Sequence, residues 1–233
     1  MGGGMIKALL FDKDGTLSDF TATWAAGARD VYRALVGDDT DRKRQMGRAI
    51  GFKWDDGTFV PGSVGVTGPE TAVLDRLAPL LPELSRAALE DIYLAASRGV
   101  VQRPGVNLQP YFADLATAGY RLGVVTNDAE ASARAHLQES GVLPHLDFLA
   151  GFDSGHGAKP DPGPLLAFAA YTGVAPKEIV MIGDSHFDLQ AAQAAGMHAV
   201  GVLTGAATEV ELAHLADVIL PDISHLPRWL SRH

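Results

Sequence analysis

Short runs of apolar residues that end in polar or glycine residues recur along this chain and predict β-strands. The runs do not alternate apolar with polar residues, which is the pattern of strands buried on both faces. The first run, residues 6–11, stops abruptly at Asp12. The predicted strands cover residues 6–11, 121–125, 148–150, 179–182, 198–202 and 218–220.

Segments with a helical pattern lie between the later strands. Residues 129–139, 164–171 and 187–195 have this pattern, and a glycine follows each segment as a typical helix stop. Asp128 is predicted to cap the first of these helices. The alternation of strand and helix predicts an α/β fold, a three-layer Rossmann-like core in which a parallel sheet has helices on both faces.

One long interval, between the first and second predicted strands, has no convincing strand pattern. Its helix candidates cover residues 23–36, 40–50, 69–78 and 85–98, and a glycine-rich loop without a clear period covers residues 51–68. We therefore predict a helical cap domain at residues 18–104, inserted into an α/β core made of residues 5–17 and 105–233. Such an insert would hang over the carboxyl end of the first strand, where open α/β sheets bind ligands.

Charge and composition narrow the classes of partner. The 233 residues carry a formal net charge of −9, which repels the phosphates of nucleic acids, so we expect no nucleic-acid partner. Cysteine is absent, which excludes disulfides and thiolate zinc sites. No apolar stretch is long enough to span a membrane and no signal-peptide pattern is present, so we predict a cytoplasmic protein without a membrane partner. The glycine-rich residues 1–5 are left out of the fold prediction.

Polar side chains gather at the ends of the predicted strands. Asp12 and Asp14 follow the first strand together with Gly15, and a glycine-containing stretch leads to Lys159. Further candidates follow the second and fourth strands, at Thr126, Asn127, Asp184 and Asp188. Because the carboxyl ends of parallel strands lie at one edge of a sheet, these residues are expected to meet there.

The chemistry that suits this collection is phosphoryl transfer. Clustered carboxylates repel one another unless a cation neutralises them, and Mg²⁺ prefers oxygen ligands. A carboxylate can attack phosphorus once a metal has cancelled part of the charge repulsion, and a lysine adds a compact positive charge for the phosphoryl oxygens. A second carboxyl group can protonate the leaving alcohol and later deprotonate the attacking water.

Four sequence motifs resemble those of the haloacid dehalogenase-like hydrolase superfamily, in the family's order. They are residues 12–16 (DKDGT), Thr126-Asn127, Lys159-Pro160 and residues 183–188 (GDSHFD). The helical insert resembles the family's cap, which follows the first motif. The cap size and residues 201–205 (GVLTG) are most similar to the phosphoglycolate phosphatase-like branch.

The resemblance implies a role for each candidate residue. Asp12 corresponds to the nucleophile, which forms an aspartyl phosphate and also binds metal. Asp14 corresponds to the general acid/base, whose backbone carbonyl binds Mg²⁺, and Asp184 to a further metal ligand. The supporting residues comprise the phosphate binders Thr126, Asn127 and Lys159, the acid Asp188, which supports the metal shell or the lysine, and Gly15.

The second acid decides between reaction types within the family. Its dehalogenases typically lack an acid at the position of Asp14, because a halide leaving group needs no proton. We therefore predict a Mg²⁺-dependent phosphatase that hydrolyses a small phosphorylated metabolite, with phosphoglycolate as a candidate substrate. The alternatives are a sugar phosphomutase of the same family and a non-catalytic module that accepts a phosphoryl group.

Several residues also have a structural interpretation, and some questions stay open. The string from Asp12 to Gly15 is a typical turn sequence, and Asp188 suits the first turn of a helix. The histidines show no pair at metal-ligand spacing, and His186 is expected at the surface. The role of Lys13, the role of the loop 51–68 and the choice between monomer and homodimer stay open.

Overall fold

The computed structural model describes residues 5–60, 62–98, 100–101 and 103–232. Apart from Met5, the glycine-rich start lies outside the described residues. None of the helices in these ranges is both long and apolar enough to cross a membrane.

A parallel sheet forms the centre of the molecule and confirms the predicted α/β fold. The strands are β1 (Ala8–Phe11), β2 (Phe52–Lys53), β3 (Thr58–Phe59), β4 (Arg121–Val125), β5 (Phe148–Ala150), β6 (Ile179–Gly183), β7 (His198–Val202) and β8 (Val218–Leu220). Six of them build the sheet in the order β5-β4-β1-β6-β7-β8, and every pairing in it is parallel. The first strand therefore lies at the centre, with the polar ends of β4 and β6 on either side.

Helices pack against the sheet and also build the segment between β1 and β4. They are α1 (Phe20–Val36), α2 (Thr40–Ile50), α3 (Val64–Thr67), α4 (Glu70–Leu77), α5 (Arg86–Arg98), α6 (Leu108–Thr117), α7 (Glu130–Glu139), α8 (Gly163–Thr172), α9 (His186–Ala195), α10 (Glu209–Leu212) and α11 (Leu226–Leu230). Of these, the short helices α3, α10 and α11 and the longer helix α6, which begins the return of the chain to the sheet, were not predicted.

The two faces of the sheet are covered by separate hydrophobic clusters, as the three-layer prediction requires. Side chains alternate between faces along a strand. In β1, Leu9 and Phe11 pack with residues of α6, α7 and α11, whereas Ala8 and Leu10 pack with residues of α8, α9 and α10. All four are fully buried, which explains why the strand reads as a continuous apolar run.

The predicted cap of α7 is wrong by one residue. The helix begins at Glu130, Ala129 is its N-cap, and the Glu130 backbone N–H donates to Asp153 Oδ1 at 2.8 Å. The Asp128 carboxylate instead lies 3.2 Å from the ammonium of the buried Lys13. Attraction to a buried cation therefore outweighs the ordinary capping preference of this aspartate.

Helices α1 to α5 pack around a third hydrophobic cluster of their own. Tyr32, Phe52 and Leu74 are among its buried residues. The prediction that residues 51–68 form a loop without a strand is wrong. Within this loop β2 and β3 form an antiparallel hairpin, and Gly57 lies between them in a left-handed conformation. Strands of two residues are too short to produce a visible sequence period. The domain boundaries at residues 18–104 stay a prediction.

The two chain crossings between the sheet and this helical segment lie side by side. The backbone N–H of Asp19 donates to the carbonyl of Arg103 at 2.8 Å, and the Arg103 N–H donates to Thr23 Oγ1 at 3.0 Å. The helical segment is thus attached next to the end of β1, and part of it faces the polar edge of the sheet.

Candidate active site

Three buried carboxylates and one lysine meet at the carboxyl edge of the sheet. Lys159 Nζ lies 2.6 Å from Asp12 Oδ1 and 2.6 Å from Asp188 Oδ1. Asp12, Asp184 and Asp188 each offer an oxygen atom, and these atoms lie within 4.8 Å of one another. Residues separated by up to 176 positions in sequence are brought together because β1 and β6 are neighbours in the sheet.

The charges in this cluster do not balance. Burial raises the pKa of the Asp12 carboxyl to about 7, although Lys159 opposes the rise. Burial, helped by the neighbouring Asp12 and Asp188 carboxylates, also raises the pKa of Asp184 well above its usual value. Burial lowers the pKa of Lys159, but its two carboxylate partners more than offset this and raise it overall. One ammonium therefore faces three carboxylates and pairs with two of them, and this oxygen-rich group fits a hard divalent cation.

Glycines and a threonine fix the position of Asp184. Thr16 Oγ1 donates to Asp184 Oδ1 at 3.1 Å. Gly15 has φ +82°, and a Cβ at this position would lie 2.4 Å from Asp184 Oδ2. A Cβ on Gly205 would lie only 1.7 Å from the same oxygen. The Thr204 hydroxyl donates to the Gly15 carbonyl at 2.6 Å, which joins the loop after β7 to the loop after β1.

Asp14 is held from two sides, by Lys13 and by Trp24 of α1 in the helical segment. Lys13 Nζ lies 2.6 Å from Asp14 Oδ2, and Trp24 Nε1 donates to Asp14 Oδ1 at 2.8 Å. Burial raises the pKa of Asp14, but Lys13 and the Trp24 indole more than offset this and lower it below its usual value. In the described part of the chain, the carboxylate of Asp14 is not a member of the metal-binding group at Asp12.

This geometry answers the open question about Lys13. Its side chain is buried, and besides Asp14 it contacts Asp128 Oδ2 at 3.2 Å and His136 Nδ1 at 3.4 Å. The lysine therefore belongs to a polar network beneath the site, which holds Asp14 from the side of the core.

Thr126 and Asn127 lie at the end of β4, beside the cluster. Thr126 is buried, and its hydroxyl accepts a hydrogen bond from the Asp128 backbone N–H at 3.1 Å. The Asn127 side chain donates to the Lys159 carbonyl and accepts from the Lys159 N–H, each at 3.0 Å. The Asn127 amide thus fixes the loop that carries Lys159, and direct phosphate binding by Asn127 stays a prediction.

Asp188 lies in the first turn of α9 and also contacts Lys159. Its Oδ2 accepts hydrogen bonds from the Ser185 N–H at 3.0 Å and from the Ser185 hydroxyl at 2.7 Å, which forms the capping box of α9. Its Oδ1 remains available for Lys159, as described above. His186, next to Ser185, is half-buried, and its ring lies 4.1 Å from the Phe187 ring, outside the cavity described next.

A cavity of about 100 Å³ lies between the sheet edge and the helical segment. The predicted site residues that line it are Asp12, Asp14, Thr126, Asn127, Lys159, Asp184 and Asp188, whereas Gly15 lies behind Asp184. The helical side contributes Phe20, Trp24, Glu70, Val73 and Tyr93, among others. Sequence reasoning missed Glu70 and Tyr93, because neither belongs to a motif and both fall in ordinary helical patterns.

Comparison with known proteins places this geometry in a family. A model of the haloacid dehalogenase-like hydrolases matches residues 6–196. A phosphoglycolate phosphatase from Nitrosospira multiformis is 30% identical over 97% of this chain and 96% of its own length. The match to the family model covers the four motifs and the helical segment between the first two.

Solved structures show the same fold at low sequence identity. A structure described as a predicted phosphoglycolate phosphatase from Haemophilus somnus superimposes with a TM-score of 0.72, at 20% identity, covering 98% of this chain and 99% of that one. The L-2-haloacid dehalogenase from Xanthobacter autotrophicus superimposes with a TM-score of 0.65, at 19% identity, covering 97% and 99%. Proteins with different reactions in their names thus share the fold.

Proposed function

We propose that this chain, which belongs to the haloacid dehalogenase-like hydrolases, is a Mg²⁺-dependent phosphatase that cleaves a small phosphomonoester through an aspartyl phosphate on Asp12. The observation that carries the proposal is the position of the Asp12 carboxylate. It touches Lys159, shares a cation-binding group with Asp184 and Asp188, and faces a cavity that Asp14 also lines.

The first half of the proposed reaction transfers the phosphoryl group to the protein. An oxygen of Asp12 attacks phosphorus while the ester P–O bond breaks. Asp14, whose pKa is low in the free site, takes up a proton when the negatively charged ester binds and gives it to the departing alkoxide. Lys159 balances charge on the phosphoryl oxygens, and the hydroxyl of Thr126, which lines the cavity, would bind the same oxygens. When bound, Mg²⁺ would neutralise the carboxylates and withdraw charge from the phosphoryl group.

The second half returns the site to its starting state. Asp14, now ionised, takes a proton from water, the water oxygen attacks phosphorus, and the P–O bond to Asp12 breaks. Inorganic phosphate leaves, and the Asp12 carboxylate is restored. The residues for the metal would be Asp12 and Asp184, together with the Asp14 backbone carbonyl, and Asp188 would hold Lys159.

The substitution Asp12→Asn tests the assignment of the nucleophile. The variant keeps the shape of the side chain but removes the attacking carboxylate, so Mg²⁺-dependent phosphate release should fall by at least roughly 10⁴-fold. Asp147→Asn, at a partly exposed aspartate that pairs with Arg121 outside the site, is the matched control and should keep parental turnover. Parental turnover by Asp12→Asn would refute the proposal.

Two alternatives predict other products from the same site. A sugar phosphomutase would return the phosphoryl group to a sugar, so isomerised sugar phosphate would replace inorganic phosphate. A non-catalytic module would become phosphorylated once per chain and then stop. Phosphoglycolate is the first ester to assay, since it is named for the relative from Nitrosospira multiformis.

The helical segment is proposed to be the cap that admits the ester. Its own hydrophobic cluster and its paired chain crossings support a unit at residues 18–104 that opens and closes over the site. Closure would exclude bulk water from Asp12 during the transfer. A cytoplasmic location and the choice between monomer and homodimer stay predictions.

A further inference from the structure

The cap side of the cavity points to a particular class of leaving group. We propose that the substrate is a phosphomonoester whose alcohol carries an amino group, and that this ammonium binds between Glu70 and the aromatic side chains of the cap segment. The inference rests on the proposed phosphatase function and adds the chemistry of the part of the substrate that departs.

Glu70 is the first residue of α4 and lies in the wall of the cavity. Its residue exposure is 5%, and neither carboxylate oxygen has a hydrogen-bond partner within the part of the chain that the structure describes. An acidic residue in the first turn of a helix is ordinary when water surrounds it. A buried carboxyl group without a partner is costly, and this favours a ligand that supplies hydrogen-bond donors.

The charges around Glu70 favour a cation rather than an anion. Burial raises the pKa of Glu70 to about 8, with Asp128, Glu90 and Asp153 adding to the rise and Arg86 opposing it. The Arg86 guanidinium is itself paired with the Asp75 carboxylate. The environment of Glu70 is therefore net negative, and a positive charge placed beside it would relieve the repulsion.

The wall of the cavity offers little to a carboxylate. Among the described residues that line it, Lys159 is the one lysine or arginine, and its ammonium is bound by Asp12 and Asp188 on the sheet side. A leaving group such as glycolate would bring a carboxylate toward the acidic side chains around Glu70, with no further lysine or arginine among the described lining residues to receive it. An ammonium group beside Glu70 would instead lower the pKa of this carboxyl group, so that it ionises and forms an ion pair with the ligand.

Aromatic side chains complete the proposed subsite. Phe20, Trp24 and Tyr93 line the same side of the cavity as Glu70. The hydrogen bond from Trp24 Nε1 to Asp14 fixes the indole between the acid/base and the cap wall. A carboxylate combined with aromatic rings is a typical environment for ammonium groups, which are attracted to the ring faces. The alcohol oxygen would then lie near Asp14, with the ammonium beyond it.

The direct test compares three esters that differ at the end of a short chain. These are O-phosphoethanolamine, propyl phosphate, in which a methyl group replaces the ammonium, and 2-phosphoglycolate, which carries a carboxylate. At about pH 8 and saturating Mg²⁺, the parent should show a kcat/KM for O-phosphoethanolamine roughly tenfold or more above that for either of the others. A higher kcat/KM for 2-phosphoglycolate or for propyl phosphate would overturn the inference.

Two variants then test whether Glu70 is responsible for the preference for the amine ester. Glu70→Gln keeps the size of the side chain and should lower kcat/KM for O-phosphoethanolamine by roughly tenfold or more, while propyl phosphate changes by less than about twofold. Glu90→Gln removes a nearby charge that does not line the cavity and should leave the ranking of the three esters unchanged. Equal ranking in the parent and Glu70→Gln would contradict a role for Glu70.

The outcomes separate this inference from the proposed function. Hydrolysis of propyl phosphate that is lost in Asp12→Asn, without any preference for the amine, would retain the phosphatase and reject the amino alcohol. No Mg²⁺-dependent hydrolysis of any of the three esters, together with no phosphate release from a wider set, would reject both.

Discussion

At the scale of single residues, the buried Lys13 is the least expected part of the site. It lies between Asp12 and Asp14 in the sequence, and it binds Asp14 and Asp128 beneath the cavity. An apolar residue there would leave both carboxylates buried without their cation. We therefore assign Lys13 a positioning role, acting through Asp14.

Lys13→Met tests this role. Removing one partner of a buried ion pair costs about 3–5 kcal/mol, so the free energy of unfolding should fall by about that amount in urea titrations. Turnover should also fall by roughly tenfold or more, because Asp14 loses its orientation. Lys7→Met is the matched control: Lys7 pairs with Glu178 at the surface, and its loss should cost no more than about 1 kcal/mol. Equal stability losses in the two variants would contradict a special role for Lys13.

A second prediction at this scale concerns how Glu70 makes the free energy of unfolding depend on pH. Folded Glu70 holds its proton up to about pH 8, whereas an unperturbed glutamate releases it near pH 4.5. The folded state therefore binds more protons between these values, and the free energy of unfolding falls as pH rises through this window. Relative to the parent, Glu70→Gln should be equally stable near pH 4.5 and more stable by up to a few kcal/mol above about pH 8. A stability difference that does not change with pH would contradict this account.

At the scale of elements, the loops that follow β1 and β7 together support Asp184, a proposed metal ligand. Gly15 and Gly205 approach Asp184 from both loops, and the Thr204 hydroxyl joins them. Neither glycine can be replaced without moving the Asp184 carboxylate, because the space that a Cβ needs is already occupied.

Gly205→Ala should weaken metal binding more than it weakens the fold. The added Cβ displaces the Asp184 carboxylate from its hydrogen bond with Thr16, so the Mg²⁺ concentration for half-maximal activity should rise by roughly tenfold or more. Gly105→Ala is the control, since a Cβ at Gly105 meets nothing within 4 Å. An unchanged Mg²⁺ requirement in Gly205→Ala would show that this loop does not support the metal site.

The elements of the fold also show which structural features could be predicted from the sequence. The strands of the sheet were visible because burial on both faces makes them continuous apolar runs, and the residues after β1, β4 and β6 were predicted because strand ends share an edge. The β2–β3 hairpin was too short to produce a period, and α6 was missed. Trp24, Glu70 and Tyr93 meet the site only through the packing of separate helices, which no local pattern encodes.

At the scale of the whole molecule, a chain with a net charge of −9 places one ammonium, that of Lys159, among the described residues that line the cavity. The fold alone does not choose the reaction, since it is shared with a haloacid dehalogenase. In the proposed function Asp14 makes that choice, because an alkoxide needs a proton and a halide does not. Its contact with Trp24 also links the chemistry to the position of the cap segment.

The most direct test of the central claim is the mass of the protein quenched in acid during turnover. With Mg²⁺ and a substrate ester, the peptide that contains Asp12 should gain the mass of one phosphoryl group, inorganic phosphate should accumulate, and Asp12→Asn should show neither. Steady phosphate release without a phosphorylated Asp12 peptide, at a rate that Asp12→Asn retains, would contradict the account.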